Sequence, residues 1–215
     1  MKIKSVRDIS PRLGPVRDQG KRPTCVAFAL SDLHACNRSA TFAPLSVEYL
    51  YYHACLRAPA FNPSGGVTLP QILGAVEHDG QPDEVHWPYL VNLPADFKDY
   101  KPPPITAPIY RRPGRRFTGS IDEIEKELES DRATMVVFSS TLQFIMAQPT
   151  TPVESSTTDQ VLMPHAVVAV GVGEHPAGRC VRIRNSWGAK WADGGHAWLS
   201  ESYLNARLIS LVRMV

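Results

Sequence analysis

The segment PVRDQGKRPTCVAFA, Pro15 to Ala29, decides how the chain is read, because it sets one cysteine where a loop becomes a helix. Lys21 and Arg22 precede Cys25, Pro23 suits the first turn of a helix, and Val26, Ala29, Leu30, Leu33 and Cys36 follow at helical spacing. A helix start presents unpaired backbone N–H groups and a positive dipole end, and both favour a thiolate over a thiol. The pattern therefore predicts a nucleophilic Cys25. A merely buried, inert cysteine is the plainer alternative.

Outward from this segment, the helix opened by Cys25 is expected to end near Asn37, and a second is expected over Pro44–Leu56, where Leu45, Tyr49, Tyr52 and Leu56 share a face. Phe61 to Leu90 reads as a glycine loop at Gly65 and Gly66, a helix from Pro70 to His78, and a turn at Gly80. Residues 92–116 are proline-rich and end in Arg111, Arg112, Arg115 and Arg116, which reads as a solvated linker because no aromatics interleave with the arginines. Ser120 caps a helix with Ile121, Ile124 and Leu128 inward, and Thr134–Ser139 reads as a strand. Gln148–Gln160 is a polar loop. Leu162–Glu174 is a buried strand with His165 at its start, and Val181–Ser200 gives a strand, a Gly- and Trp-rich loop and a return strand. Residues 1–14 read as an extended arm. Strands gathered after helices predict an α+β fold, a helical lobe followed by a β lobe.

With 23 basic and 21 acidic side chains, the net charge of +2 leaves no electrostatic footprint for nucleic acid or a membrane surface. No run reaches the roughly 20 apolar residues of a membrane helix, and Met1–Ser10 lacks the apolar core of a secretory signal, so a cytoplasmic or already processed chain is expected. Cys25, Cys36, Cys55 and Cys180 are expected to be reduced, since a nucleophile must stay free and leaves an odd number. No metal or cofactor is expected: there is no C-x-x-C, and His34/Cys36 and His53/Cys55 are each two apart on helices, pointing to different faces.

The Gln19-Gly20 pair upstream of Cys25, the Trp87-Pro88-Tyr89 run and the Asn185-Ser186-Trp187-Gly188 run with its following Trp and Gly-Gly together resemble the papain-like cysteine peptidases, over about Leu13 to Tyr203. The resemblance implies a two-lobe fold, mainly helical over 11–105 and a β-barrel-like lobe over 106–215 with the 1–10 arm, and an active site in the cleft between. It implies Cys25 as nucleophile, His165 as general base and acid, Asn185 as the residue orienting the imidazole, Gln19 as oxyanion donor, and Trp187 as a cover over the His165–Asn185 contact. Gly65 and Gly66 would pair with an extended substrate strand, and Val67, Thr68 and Met163 would line an apolar second subsite.

There are departures from the family pattern. Val26 stands where Trp is usual and Thr24 where Ser is usual. Pro164 stands before the histidine and offers no N–H to a substrate, while its carbonyl side can still serve. Arg22 replaces a cysteine that forms a disulfide in many secreted members, which argues for manufacture in a reducing compartment. Hydrolysis of peptide bonds through an acyl-enzyme is the expected activity. Acyl transfer, as in a transpeptidase or isopeptidase, and a binding module with a spent site are the alternatives. Substrates would be proteins or peptides. Because the chain reaches Gln19 without room for a pro-segment, a protein inhibitor covering the cleft of a toxin-like peptidase, or a place within a longer protein, is a further expectation.

Overall fold

The structure is a computed structural model that describes residues 3–38 and 41–215. Met1 and Lys2, part of the expected arm, lie outside the described residues. Three helices come early: α1 (Cys25–Arg38), α2 (Val47–Cys55) and α3 (Leu69–His78). Seven strands make one antiparallel sheet, β1 (Lys4–Asp8), β2 (Gly114–Phe117), β3 (Thr134–Thr141), β4 (Val161–His175), β5 (Gly178–Arg184), β6 (His196–Ser200) and β7 (Leu208–Met214), with α4 (Ile121–Glu129), α5 (Leu142–Ile145) and α6 (Glu201–Arg207) between them. The strand order is β2-β7-β3-β4-β5-β6, and β1 joins β4.

The helices begin where their chemistry directs. Ser46 Oγ accepts from Tyr49 N at the start of α2, and Ser120 Oγ accepts from Asp122 N at the start of α4. Helix α1 is different, since every residue from Ala27 to Cys36 is buried. It packs against β4 on one side and α2 and α3 on the other, so its polar side chains need internal partners. Ser31 donates to Leu45 O at 3.0 Å, and His34 Nδ1 lies 3.1 Å from Gln81 Oε1. Asp32 takes Arg17 on one oxygen at 2.7 Å and Arg184 on the other at 2.8 Å. Arg184 ends β5, and its remaining nitrogens donate to the carbonyls of Gly14 and Pro15. One buried carboxylate thus ties the helix of Cys25 to the strand that leads into Asn185.

Strand β4 changes character along its length. Val161 to Pro164 are exposed, and His165 to Gly173 are buried, as a valine- and alanine-rich central strand requires. His165 is thus its first buried residue, at the edge of the core. The arm becomes β1, running antiparallel to the end of β4. A Cβ on Gly171 would come within 2.7 Å of Arg7 O, so only glycine admits the arm there.

Two expectations change. The basic run is only partly linker: Gly114–Phe117 forms β2 on β7, Arg115 meets Glu77 at 2.9 Å and Arg112 donates to Asn37 O at 2.6 Å, which fixes this crossing to the helices. The C-terminal residues, beyond the reach of any local signal read above, supply α6 and β7, and β7 lies inside the sheet between β2 and β3.

Candidate active site

Two loops meet at the mouth of the groove between helices and sheet. Gln19 N donates to Ser186 O at 2.8 Å, Gly188 N donates to Arg17 O at 3.1 Å, and Asp18 bridges Trp187, so the Gln19 loop runs antiparallel to the Asn-Ser-Trp-Gly run. The Gln19 side chain is buried and held at both ends. Its Oε1 accepts from Ser186 Oγ at 2.7 Å, and its Nε2 donates to Arg22 O at 2.8 Å. One Nε2 hydrogen remains, and Gln19 lines the same cavity as Cys25.

His165 and Asn185 form a fixed pair. Asn185 Oδ1 accepts from the backbone N–H of Ser186 at 2.8 Å, which identifies that atom as oxygen, because an amide nitrogen there would face another donor. The same oxygen lies 2.8 Å from His165 Nε2, so Nε2 must carry the proton. The other ring nitrogen, Nδ1, is thereby left unprotonated, as a hydrogen-bond acceptor. Rings enclose this pair: Trp187 lies over His165 with centroids 4.7 Å apart, and Phe144 reaches His165, Trp187 and Trp191 at 5.5, 5.5 and 5.3 Å. Asn185 Nδ2 is buried with no partner, so the amide is anchored through its oxygen.

Burial acts on both reactive groups in the same sense, towards neutrality. It pushes the Cys25 thiol up, with backbone hydrogen bonds at Ala166 and Val26 opposing it, and it pulls the His165 imidazole down to about 4 against the opposing Asn185 contact. The helix start alone therefore does not make Cys25 a thiolate, as its position suggested. Desolvation outweighs those backbone hydrogen bonds, and the proton must have a place to go.

Gln19, Cys25, Gly66, Val67, Met163, Pro164, His165 and Trp187 line one cavity of about 410 Å³, with Pro23, Val26, Ser140, Ile145 and Leu162 completing it. Asn185 stands behind His165, 2% exposed. Gly65 and Thr68 do not line it. Gly65 is held by its carbonyl, which accepts from Tyr51 OH, and Thr68 is the N-cap of α3, where its N–H donates to Gln71 Oε1 at 2.7 Å. Hollows of about 450 Å³ between β1 and α4 and about 510 Å³ beside α5 have neither cysteine nor histidine among the residues lining them.

The sequence model described as "Papain family cysteine protease" matches residues 4–210. The chain belongs to the papain family of cysteine proteases. Among curated papain-family relatives, the oryzain gamma chain of Oryza sativa subsp. japonica is 29% identical over 189 residues, covering 86% of this chain and 51% of its own. An uncharacterised peptidase C1-like protein of Acanthamoeba polyphaga mimivirus is 24% identical over 206 residues, covering 87% of this chain and 64% of its own. The chain thus spans about half to two thirds of the length of these relatives. Of solved structures, xylellain from Xylella fastidiosa superposes with a TM-score of 0.76 at 23% identity, over 97% of this chain and 84% of that one. Bromelain from Ananas comosus gives 0.70 at 18% identity, over 95% and 94%. These likenesses show the fold, with helices and antiparallel sheet enclosing the cleft.

Within this papain-family cleft, several supporting residues escape a reading of the sequence. Ser186 lies in the quoted Asn-Ser-Trp-Gly run, yet only the fold brings its hydroxyl to Gln19. Phe144 sits in a helix of four residues capped by Thr141, too short for a periodic signal, and is fully buried against His165. Ser140 Oγ donates to Met163 O at 2.7 Å and so fixes the exposed start of β4 beside the cavity. All four cysteines are unpaired. No helix among the described residues is long and apolar enough to cross a membrane.

Proposed function

We propose that the chain hydrolyses peptide bonds through a thioester on Cys25. The observation that carries the reading is the His165–Asn185 contact at 2.8 Å, which leaves Nδ1 as base in the cavity that Cys25 and Gln19 share. In the first step the Cys25 proton passes to His165 Nδ1, and the sulfur attacks the substrate carbonyl carbon. The oxygen that gains charge is met by the backbone N–H of Cys25 and the second hydrogen of Gln19 Nε2. The C–N bond then breaks, the amine leaves with the proton from His165, and a water activated by the same imidazole releases the acid. Asn185 keeps the ring in one tautomer without adding a charge.

Val67, Leu162 and Met163 suit an apolar side chain two residues before the cut, and Gly66 suits the substrate backbone: a Cβ added there meets nothing within 4 Å, so the protein itself does not require glycine. The partner is a protein or peptide, no cofactor enters the reaction, and the four unpaired cysteines support manufacture in a reducing compartment. Acyl transfer to an amine would use the same residues and differs only in what accepts the acyl group. No residue of the cleft bears on a toxin-like role or an inhibitory partner; these require growth arrest of a host that makes the Cys25 chain and none with Cys25→Ala. The activity itself is tested by digesting a whole proteome and sequencing the new termini by mass spectrometry. Termini clustered after a common apolar-containing motif, absent with Cys25→Ala, are expected. Equal termini from both chains would end the protease reading, and no termini from either would favour a binding module.

A further inference from the structure

Arg22 and Glu48 are charged side chains buried beside the nucleophile, 7% and 0% exposed. They make a two-pronged contact: Arg22 Nη1 donates to Glu48 Oε2 at 2.7 Å and Nη2 donates to Oε1 at 2.9 Å. Glu48 also accepts from Leu90 N at 2.8 Å and from Tyr100 OH, and Arg22 Nη1 donates to Leu90 O at 2.6 Å. Burial, reinforced by the Glu48 carboxylate, holds the Tyr100 phenol protonated, so it acts there as donor. The guanidinium lies 4.9 Å from the Tyr89 ring centroid and 5.4 Å from that of Tyr51. An apolar pair of the same volume would join α2 to this loop at least as well, because two charges must be stripped of water to sit here. Cohesion alone does not account for the pair. What it does that an apolar pair could not is hydrogen-bond the main chain at residue 90, while anchoring residue 22 through its side chain.

Both of those points lead to Gln19. Arg22 O is the acceptor that holds one hydrogen of Gln19 Nε2, at 2.8 Å. Leu90 is gripped through both its N–H and its carbonyl, and the preceding residue, Tyr89, places its hydroxyl 2.9 Å from Gln19 O and 2.9 Å from Thr24 Oγ1. Thr24 in turn adjoins Cys25, the other oxyanion donor. We propose that the Arg22–Glu48 pair is a positioning device for the oxyanion hole, aiming the second Nε2 hydrogen of Gln19 at the cleft through Arg22 O and Tyr89 OH. The inference rests on the hydrolytic reading above, and Arg22 and Glu48 are positioning residues that never touch substrate.

The test is a double-mutant cycle between Glu48→Gln and Gln19→Ala, read as kcat and KM on one peptide substrate, with the rate of Cys25 alkylation by iodoacetamide as a second readout. Glu48→Gln keeps the size of the side chain and removes its charge, turning one of its contacts into donor against donor. It is expected to lower kcat about tenfold or more, within the limit of about 10²- to 10³-fold set by loss of one oxyanion donor, and to change KM less than about twofold. Alkylation should keep the wild-type rate, since attack on iodoacetamide builds no oxyanion. In the Gln19→Ala chain, Glu48→Gln should change kcat less than about twofold, because the donor it aims is gone. If Glu48→Gln does not fold, Tyr100→Phe, which deletes only the hydroxyl bound to Glu48, runs the same cycle. A full further loss in the Gln19→Ala chain, or slowed alkylation, overturns the positioning role and leaves the hydrolytic reading standing. A wild-type chain that is alkylated at Cys25 but turns over no peptide removes both.

Discussion

At the scale of single residues, the site works by subtraction. Around the imidazole and the Gln19 amide the partnered polar atoms leave one proton acceptor and one proton donor facing the cavity, while Asn185 Nδ2 stays buried without a partner. Ser186 serves both: its N–H fixes Asn185 Oδ1, and its hydroxyl fixes Gln19 Oε1. Removing a Gln19 donor should therefore affect the transition state alone. We predict that Gln19→Ala lowers kcat about 10²- to 10³-fold with KM nearly unchanged in steady-state assays, and that Ser186→Ala gives a smaller loss of the same kind. A pure KM effect would reassign Gln19 to substrate binding. Burial of His165 sets a second expectation. With its imidazole pulled to about 4, the base becomes protonated and useless only in acid, so kcat/KM should rise through a limb near pH 4 and be level at pH 6. A limb near the ordinary histidine value of about 6.5 would contradict this. Cys25 was legible from its place at a helix start, and His165, Asn185 and Gln19 from the resemblance of the runs around them to a family pattern; the fold brings Cys25, Gln19 and His165 to one cavity with Asn185 behind. Ser186 and Phe144 were not legible, because serine and phenylalanine take up such roles only through tertiary placement.

Among the elements, α1 and β4 position the two reactive groups, and both were legible. The proline before Cys25 and the apolar spacing behind it gave the helix, and the run of valines and alanines after His165 gave the strand. The burial of α1 on all faces was less visible, since local spacing does not show what Ser31, Asp32 and His34 pair with. Strands β2 and β7 were missed for another reason: their partners lie far off in sequence, so no local pattern announces them. The burial of His34 has a consequence for acid stability. Its imidazole is pulled to about 4 by burial, only partly countered by Gln81, and that of His165 likewise. Between about 6.5 and 4 the unfolded chain binds these protons and the folded chain does not, so stability rises with pH in that window and is lost as pH falls through it. Urea midpoints measured from pH 7 to 4.5 should fall steadily, and His34→Gln should flatten part of that slope. A midpoint constant over this range would show that neither histidine is held neutral by the fold.

Across the whole molecule, the helical layer and the sheet are fastened where catalysis needs them aligned. Asp32 on α1 joins Arg17, which also meets Glu84 at 2.6 Å, to Arg184 at the end of β5. Asp32→Asn would leave both arginines short of a charge in a buried place, and we predict a loss of about 3–5 kcal/mol in chemical unfolding. A loss below about 1 kcal/mol, the range of an exposed pair, would mean that this joint carries little. The cleft so aligned has a mostly apolar wall, to which Gln19, Ser140, Cys25 and His165 bring the polar side chains. The central claim is that an acyl group passes through Cys25, and acid-quenched intact-mass spectrometry during turnover of a slowly hydrolysed peptide ester tests it most directly. The account predicts a transient mass increase equal to the acyl portion, located on the peptide containing Cys25 and absent from Cys25→Ala. Product released at the same rate by Cys25→Ala, with no adduct on either chain, would contradict it.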